Sequence, residues 1–240
     1  TGDVNFKIIR KNSNIEDGKC FKNYYLEHED QIDIISTKKT VFGYLAVQGG
    51  FKVDKTWGSY SINTKAKIGV NNGEKFSLGQ KIYFRNGKSE KIKEKIINYK
   101  FSSKNIIRAI KGTNYNYFSE EAKSNFFKKE YQVTNLSDRM GMRLEGPALE
   151  NIVNTNIKSE GLVKGVVQVP ADGKPIILFS DHGTIGGYPK IAVVIAADYD
   201  KAVQLTPGSK IKFENVELKE AEKIYKLYCN ETENFIDQIK

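Results

Sequence analysis

The chain has 240 residues and a formal net charge of +9, from 38 Lys and Arg against 29 Asp and Glu. This length suffices for one large or two small domains with a real hydrophobic core. A hydrophobic content of 39% with only 5 prolines excludes a disordered, collagenous or disulfide-stapled protein. The longest apolar run, 191–197, is far shorter than a membrane span. No leader is recognisable, so we expect a cytoplasmic protein without a membrane partner.

Cysteine and histidine are scarce in this sequence. Cys20 and Cys229 lie at opposite ends and form no CxxC pair, which is typical of two reduced thiols in a cytosolic protein. His28 and His182 are the two histidines, so a zinc site would depend almost entirely on carboxylates. We therefore predict no metal site.

The positive charge is distributed in a way that disfavours nucleic acid as a partner. Five of the basic residues are Arg, the residue type that reads phosphate and guanine through two hydrogen bonds. The lysines are scattered and alternate with acids, and no basic stripe with interleaved aromatic residues is present. A lysine-rich, solvated surface is the preferred interpretation.

Short apolar runs separated by Gly, Asn and Asp dominate the chain, a pattern typical of strands. In chain order the predicted strands are 6–9, 21–26, 32–36, 41–47, 81–84, 105–110, 131–134, 165–169, 175–179, 191–197 and 210–213. Turn-forming pairs such as Asn86-Gly87, Asp172-Gly173 and Pro207-Gly208 fall between them. The expected fold is mostly β, a barrel or a sandwich.

Two segments carry helical signals. Ser119 followed by Glu120 and Glu121 predicts an N-cap with acids in the first turn. A tail helix is predicted from about Leu218, because apolar residues recur there at helical spacing. The polar, weakly patterned stretch 86–103 predicts a boundary, so we expect two subdomains, 1–100 and 101–240.

Arg139, Arg143 and Glu145 form the first group of candidate site residues. If the segment is extended, Arg143 and Glu145 share one face of a strand and an ion pair between them is one interpretation. The other is an anion clamp, because a guanidinium group matches a carboxylate, bicarbonate or phosphate. The residues alone leave both open.

A second group surrounds the pair Gly186-Gly187, which is followed by Tyr188. Two glycines permit positive φ and allow backbone N–H groups to converge into an anion-binding concavity. The alternative is a tight turn that requires glycine for conformational reasons, with Tyr188 in the core.

Polar residues precede and accompany this glycine pair. Asp181, His182 and Thr184 follow the end of an apolar strand. Gln168 lies inside an apolar run, so it is expected to be half-buried and to require hydrogen-bond partners. Its carboxamide would either recognise another amide or fix a neighbouring loop.

Three ordered motifs resemble one known family. They are SDRMGMRLEGPAL, SEGLVKGVVQVPADGKPIILFSDHGTIGGYPKIA and TPGSKIKF. They resemble the second subunit of the allophanate hydrolase and 5-oxoprolinase group, also called biotin-dependent carboxyltransferase-family or KipA-like proteins. The resemblance is specific from 134 to 213 and looser from 3 to 84.

This resemblance implies a cyclophilin-like β-barrel fold in two subdomains and a cytoplasmic protein that works with a first-subunit, KipI-like chain. The implied activities are ATP-dependent opening of 5-oxoproline, or carboxyl transfer from biotin to urea. The complex would use ATP, and biotin would arrive on a partner, because neither a nucleotide motif nor a biotin-attachment motif occurs here.

The resemblance also suggests roles for the candidate residues. Arg139 and Arg143 would hold an anion, with Glu145 and Thr184 beside it. Gln168, Asp181 and Tyr188 would orient the amide, and His182 would carry a proton. The N–H groups of Gly186 and Gly187 would stabilise developing oxyanion charge.

The sequence departs from the family pattern in its first half. The family's Gly-Ser-Arg-Ser is Gly58-Ser59-Tyr60-Ser61 here, and a later segment, 73–80, lacks the family's Arg and Asp. The family's opening segment is also absent. These departures motivate an alternative, a non-catalytic regulatory subunit that binds and antagonises a KipI-like partner.

Overall fold

The computed structural model describes residues 1–85, 96–97 and 105–239. The predicted boundary at 86–103 falls almost entirely outside these residues, so the division into subdomains 1–100 and 101–240 stays a prediction. In the described part, the strands of the first half are β1 (Val4–Ile9), β2 (Ile15–Asp17) and β3 (Gln31–Thr37). Those of the second half are β4 (Ile106–Lys111), β5 (Glu130–Val133), β6 (Gly141–Glu145), β7 (Glu160–Gly161), β8 (Val166–Gln168), β9 (Ile176–Leu178), β10 (Ile185–Gly186), β11 (Lys190–Val194) and β12 (Lys210–Asn215).

Seven strands of the second half close into a barrel in the order β11-β4-β12-β5-β6-β9-β8, and β8 pairs with β11 to complete it. The β12–β4 pair is parallel and the other pairs are antiparallel. Burial alternates along β5 and β12, so every second side chain fills the interior. Tyr131, Ile177 and Phe213 are among the fully buried side chains of this core.

The first half of the chain carries little regular structure. Its three strands form a sheet in the order β2-β1-β3, and Ile8 is the one fully buried hydrophobic residue in 1–85. A two-stranded ribbon, β10-β7, lies outside the barrel. The hydrophobic core therefore belongs to the second half.

Three α-helices accompany the barrel in the described part: α1 (Glu120–Lys128), α2 (Ala196–Val203) and α3 (Leu218–Ile239). The Ser119 side chain accepts a hydrogen bond from the N–H of Ala122, which confirms the predicted N-cap. The tail helix begins at Leu218, as expected. The mostly β fold with a barrel, a few short helices and a C-terminal helix is confirmed.

Several predicted elements are wrong. The segments 21–26, 41–47 and 81–84 form no strand, only isolated bridges that join Lys22 to Ile96 and Phe51 to Phe84. Their apolar residues find no sheet face to cover, and Phe21 has φ +59°, which interrupts extended structure. The run 191–197 ends as strand at Val194 and continues as α2.

No helix in the described ranges combines the length and apolar character that crossing a bilayer requires.

Candidate functional site

A cleft of about 340 Å³ lies between the first half of the chain and the barrel. Apolar side chains from both sides form its floor, including Phe42, Met142, Phe179 and Leu205. Ser137 and several charged groups line the rest. Apolar walls with a few polar groups are typical of sites for small molecules.

Arg139 and Asp181 form an ion pair at this cleft. Arg139 Nε lies 3.0 Å from Asp181 Oδ2, and Nη2 donates to Oδ1 at 3.2 Å. The N–H of Asp181 also donates to the carbonyl of Arg139, which joins the two loops. The guanidinium charge is therefore largely compensated, and the Arg139 side chain remains 45% exposed, so its other N–H groups can reach a ligand.

A second ion pair crosses the cleft. Lys65 Nζ from the first half lies 2.8 Å from Asp138 Oδ2. Burial raises the pKa of Asp138, but hydrogen bonds from Lys65 and from the N–H groups of Met140 and Gly141 outweigh it and lower that pKa. Asp138 is thus held as a carboxylate.

Phe42, which lines the cleft, is hydrogen-bonded to Gln204 at its edge. The N–H of Phe42 donates to Gln204 Oε1 at 2.8 Å, and Gln204 Nε2 donates to the carbonyl of Phe42 at 3.2 Å. This double hydrogen bond attaches the first half to the end of α2. Lys75 also lines the cleft and forms no ion pair with any described residue.

Arg143 and Glu145 lie elsewhere. Both project from the outer face of β6, as extended geometry requires, and both are exposed. Glu145 pairs with Lys174 at 2.8 Å, and Arg143 has no ion pair within the described part of the chain. Arg143 does not line the cleft, so the two candidate arginines do not share one cavity.

Gln168 lies at the end of the barrel, in a second polar group that the cleft does not include. The residue is only 6% exposed, and its Nε2 donates to the carbonyl of Tyr188 at 3.3 Å. Lys190 pairs with Gln168 across β8 and β11 and forms an ion pair with Glu160. Tyr188 itself is half-exposed.

Gly186 and Gly187 do not use the positive φ that glycine permits, because neither residue lies in the left-handed region. Glycine is required there for space. A Cβ on Gly186 would lie 2.9 Å from Gln168 Nε2, and one on Gly187 would lie 2.9 Å from the carbonyl oxygen of Ile157. Gly186 pairs with Glu160 in the β10–β7 ribbon.

His182 and Thr184 lie on the segment that connects the cleft to the ribbon. His182 Nδ1 is 2.6 Å from the carbonyl oxygen of Gly183, and the carbonyl of Thr184 accepts from the N–H of Leu162. Asp181 stands at the cleft end of this segment and Gly186 at the ribbon end. The catalytic and binding roles of all these residues stay predictions.

Several charged groups that the structure brings together are not evident from the sequence. Lys65 and Asp138 meet across 73 residues, and Lys190 meets Glu160 across 30. A weak signal existed for Lys190, because it immediately precedes the most apolar run of the chain. Within the described residues, no group of three His, Cys, Asp or Glu side chains is arranged to hold a metal ion.

Comparison with known proteins identifies the class to which this barrel and cleft belong. The family model "Carboxyltransferase domain, subdomain A and B" matches residues 8–215. The chain belongs to this carboxyltransferase domain family.

Two curated relatives place it within that class. The chain is 36% identical over 221 residues to the C subunit of 5-oxoprolinase from Haemophilus influenzae, a match that covers 92% of this chain and 70% of the relative. It is also 36% identical over 178 residues to the C subunit of 5-oxoprolinase from Escherichia coli, covering 74% and 57% respectively. The resemblance noted in the sequence is thereby confirmed.

A solved structure supports the same fold. The crystal structure of the K. lactis urea amidolyase superposes with a TM-score of 0.83 at 22% identity. The match covers 98% of this chain and 15% of that chain. This chain therefore corresponds to a small part of that much longer enzyme.

Proposed function

We propose that this chain is the C-type subunit of a multi-subunit enzyme that processes a small amide or lactam, of the 5-oxoprolinase type. The observation that carries the proposal is the 36% identity to the C subunit of a 5-oxoprolinase over 92% of the chain. That match extends through both sides of the cleft, which is why we place the small-molecule site there.

The chemistry of the cleft suits an amide. The carbonyl oxygen of the amide needs a hydrogen-bond donor, which the exposed part of the Arg139 guanidinium supplies. The N–H of the amide needs an acceptor, which the carboxylates of Asp138 and Asp181 supply. The apolar floor accommodates the carbon skeleton of a lactam.

Lys75 gives the same cleft a place for a negative group. Lys65 and Arg139 are compensated by Asp138 and Asp181, so Lys75 contributes the excess positive charge among the described lining residues. A carboxylate on the lactam would find its counter-ion there.

ATP does not fit this cleft. A triphosphate needs several converging N–H donors or uncompensated cations, and the lining charges here nearly cancel. ATP would therefore bind a partner, for which a first-subunit, KipI-like chain is our proposal. Biotin carried by a partner is compatible with the apolar floor, and when bound it would supply the carboxyl group in a urea-type reaction.

The test is to reconstitute the complex with its partner chains and measure ATP hydrolysis that depends on 5-oxoproline or on urea. Arg139→Gln removes the proposed carbonyl donor, so we expect kcat/KM to fall about 10- to 100-fold. Lys174→Met, which removes an exposed ion pair with Glu145, is the matched control and should leave turnover unchanged.

Arg143→Ala distinguishes the cleft from the outer face of β6. If Arg143→Ala abolishes turnover while Arg139→Gln does not, the site lies on that outer face and the cleft proposal is wrong. A tight complex that shows no turnover on any small amide would instead favour a regulatory subunit. The observation that favours a regulatory subunit is that Tyr60 replaces the Arg of the family motif.

A further inference from the structure

Lys190 is a buried cation whose counter-ion, Glu160, is exposed. Its side chain is 5% exposed at the first position of β11, and its Nζ lies 2.7 Å from Glu160 Oε2. A lysine is rarely this buried unless its charge is paired. Within the described chain, Glu160 is the carboxylate that forms a salt bridge with it.

The two partners differ sharply in how firmly they are held. Lys190 belongs to the closed barrel, and its backbone N–H donates to Asn114 Oδ1, whose residue is 4% exposed. Glu160 is 46% exposed and sits in a ribbon that has only two residue pairs. Residues 151–164 around it include no buried side chain. A segment with so few buried contacts opens at low free-energy cost, whereas the barrel does not.

The surroundings of Lys190 add hydrogen-bonding groups for a ligand. Gln168 is its partner across the strand pair, so both side chains leave the same face of the barrel wall. Gln168 Nε2 makes a long hydrogen bond of 3.3 Å to the carbonyl of Tyr188. The Lys190 ammonium and the Gln168 amide, two groups that can donate hydrogen bonds, therefore leave neighbouring positions on one face of the barrel wall.

We propose that Lys190 and Gln168 form a binding site for a small planar oxyanion of the carboxylate type, where the Glu160 carboxylate pairs with the Lys190 ammonium in this structure. Opening of the ribbon removes Glu160 and leaves the buried ammonium group without a counter-ion, with Asn114 Oδ1 at 3.5 Å as its remaining hydrogen-bond acceptor among the described residues. The ligand should resemble the group that now pairs with Lys190, which is the carboxylate of Glu160. A carboxylate, bicarbonate or carbamate group presents the same two oxygens as Glu160, whereas a phosphate is tetrahedral and more bulky. This site is separate from the cleft and does not depend on the proposed function.

The test uses the variant Glu160→Gln, in which the side chain keeps its shape and loses its charge. Its thermal unfolding midpoint is measured in chloride, acetate, bicarbonate and phosphate at equal ionic strength. In chloride we expect the midpoint to fall by a few degrees, because Lys190 is left without a counter-ion. Acetate and bicarbonate should restore most of the loss in a saturable manner, and phosphate should restore less.

Two variants provide the controls. Glu145→Gln removes one partner of the Lys174–Glu145 pair, which has a similar distance of 2.8 Å but is exposed, so it should show no rescue by acetate. The double variant Glu160→Gln/Lys190→Met lacks the proposed cation and should also show none. Rescue that persists in the double variant, or an acetate effect equal in Glu145→Gln, would overturn the site. Equal rescue by phosphate would overturn the assignment to planar oxyanions.

A second measurement applies even where Glu160→Gln does not fold. The side-chain amide signals of Gln168 are followed by NMR in the unaltered 240-residue chain as acetate is added. We expect a saturable shift that is lost in Lys190→Met. Signals that do not move in the unaltered chain, or that move equally in Lys190→Met, contradict the proposal.

Discussion

The sequence and the structure give different reasons why position 186 requires glycine. The sequence suggests conformational freedom at positive φ, but the residue lies in a strand and the requirement is steric. Leu162 Cδ1 and the Gln168 carboxamide both lie within 3 Å of the position a Cβ would take. A pattern of glycines cannot distinguish these reasons, because the neighbours that crowd Gly186 are distant in the sequence.

Gly186→Ala should therefore lower the free energy of unfolding by about 1 kcal/mol, since the partly exposed Leu162 can move aside but a shift of the buried Gln168 carboxamide strains its hydrogen bond to the carbonyl of Tyr188. Gly161 is the matched control on the facing strand, because a Cβ there would meet nothing within 4 Å. Gly161→Ala should change the stability by less than about 0.5 kcal/mol. Chemical denaturation measures the free energy of unfolding of both variants. Equal losses of stability in the two variants would show that crowding at Gly186 is not the cause.

At the same scale, the candidate site is only partly predictable. Arg139 and Asp181 both stand out in the sequence, yet their pairing across 42 residues does not. Arg143 stands out on the same grounds and lies on the outer face of β6, away from the cleft. Residue type indicates which groups can bind an anion, but only the strand register decides which of them face a cavity.

At the scale of elements, α2 depends on one long-range ion pair. Asp198 in its first turn is 3% exposed in its side chain and accepts three hydrogen bonds from the backbone and guanidinium group of Arg108 in β4. Burial raises the pKa of Asp198, but these hydrogen bonds and the charge of Lys201 outweigh it and lower that pKa. The partners are 90 residues apart, so local sequence could not reveal where strand gives way to helix.

This pair predicts a pH dependence of stability. A carboxyl group whose pKa is lower in the folded state stabilises the protein above its unfolded pKa, and this stability is lost as the pH falls through the folded pKa. Asp198→Asn should reduce the free energy of unfolding by about 2–4 kcal/mol at pH 7, because it removes the buried carboxylate that accepts three hydrogen bonds from Arg108. The difference from the unaltered protein should shrink below about pH 4. Glu120→Gln removes a carboxylate that is itself exposed, although its partner Lys123 is largely covered, and should show neither effect.

Denaturation curves recorded from about pH 3 to about pH 7 measure both quantities. A difference between Asp198→Asn and the unaltered chain that does not change with pH would contradict the assignment to this ion pair.

At the scale of the whole molecule, the barrel is predictable and the first half is not. Strands 105–110, 131–134 and 210–213 can be found because they alternate around a core that the barrel itself supplies. In residues 1–85 several apolar runs of similar appearance do not become strands, since Ile8 is the one hydrophobic residue fully buried there. Periodicity predicts a strand only where a packed face exists to receive it.

The cleft also belongs to this scale, because neither half forms it alone. The Phe42–Gln204 hydrogen bonds and the Lys65–Asp138 ion pair attach the first half to the barrel across 162 and 73 residues. Our central claim is that the cleft between these attachments binds the small amide on which the complex acts.

The methionine residues of the chain allow a direct test of that claim. It contains two methionines, Met140 and Met142, and both line the cleft. In the chain labelled with ¹³C at the methionine methyl groups, we predict that 5-oxoproline or urea shifts at least one of the two signals saturably and that Arg139→Gln weakens the response. Two methyl signals that stay unmoved at saturating concentrations of both ligands, in a reconstituted complex that turns over one of them, would contradict the account.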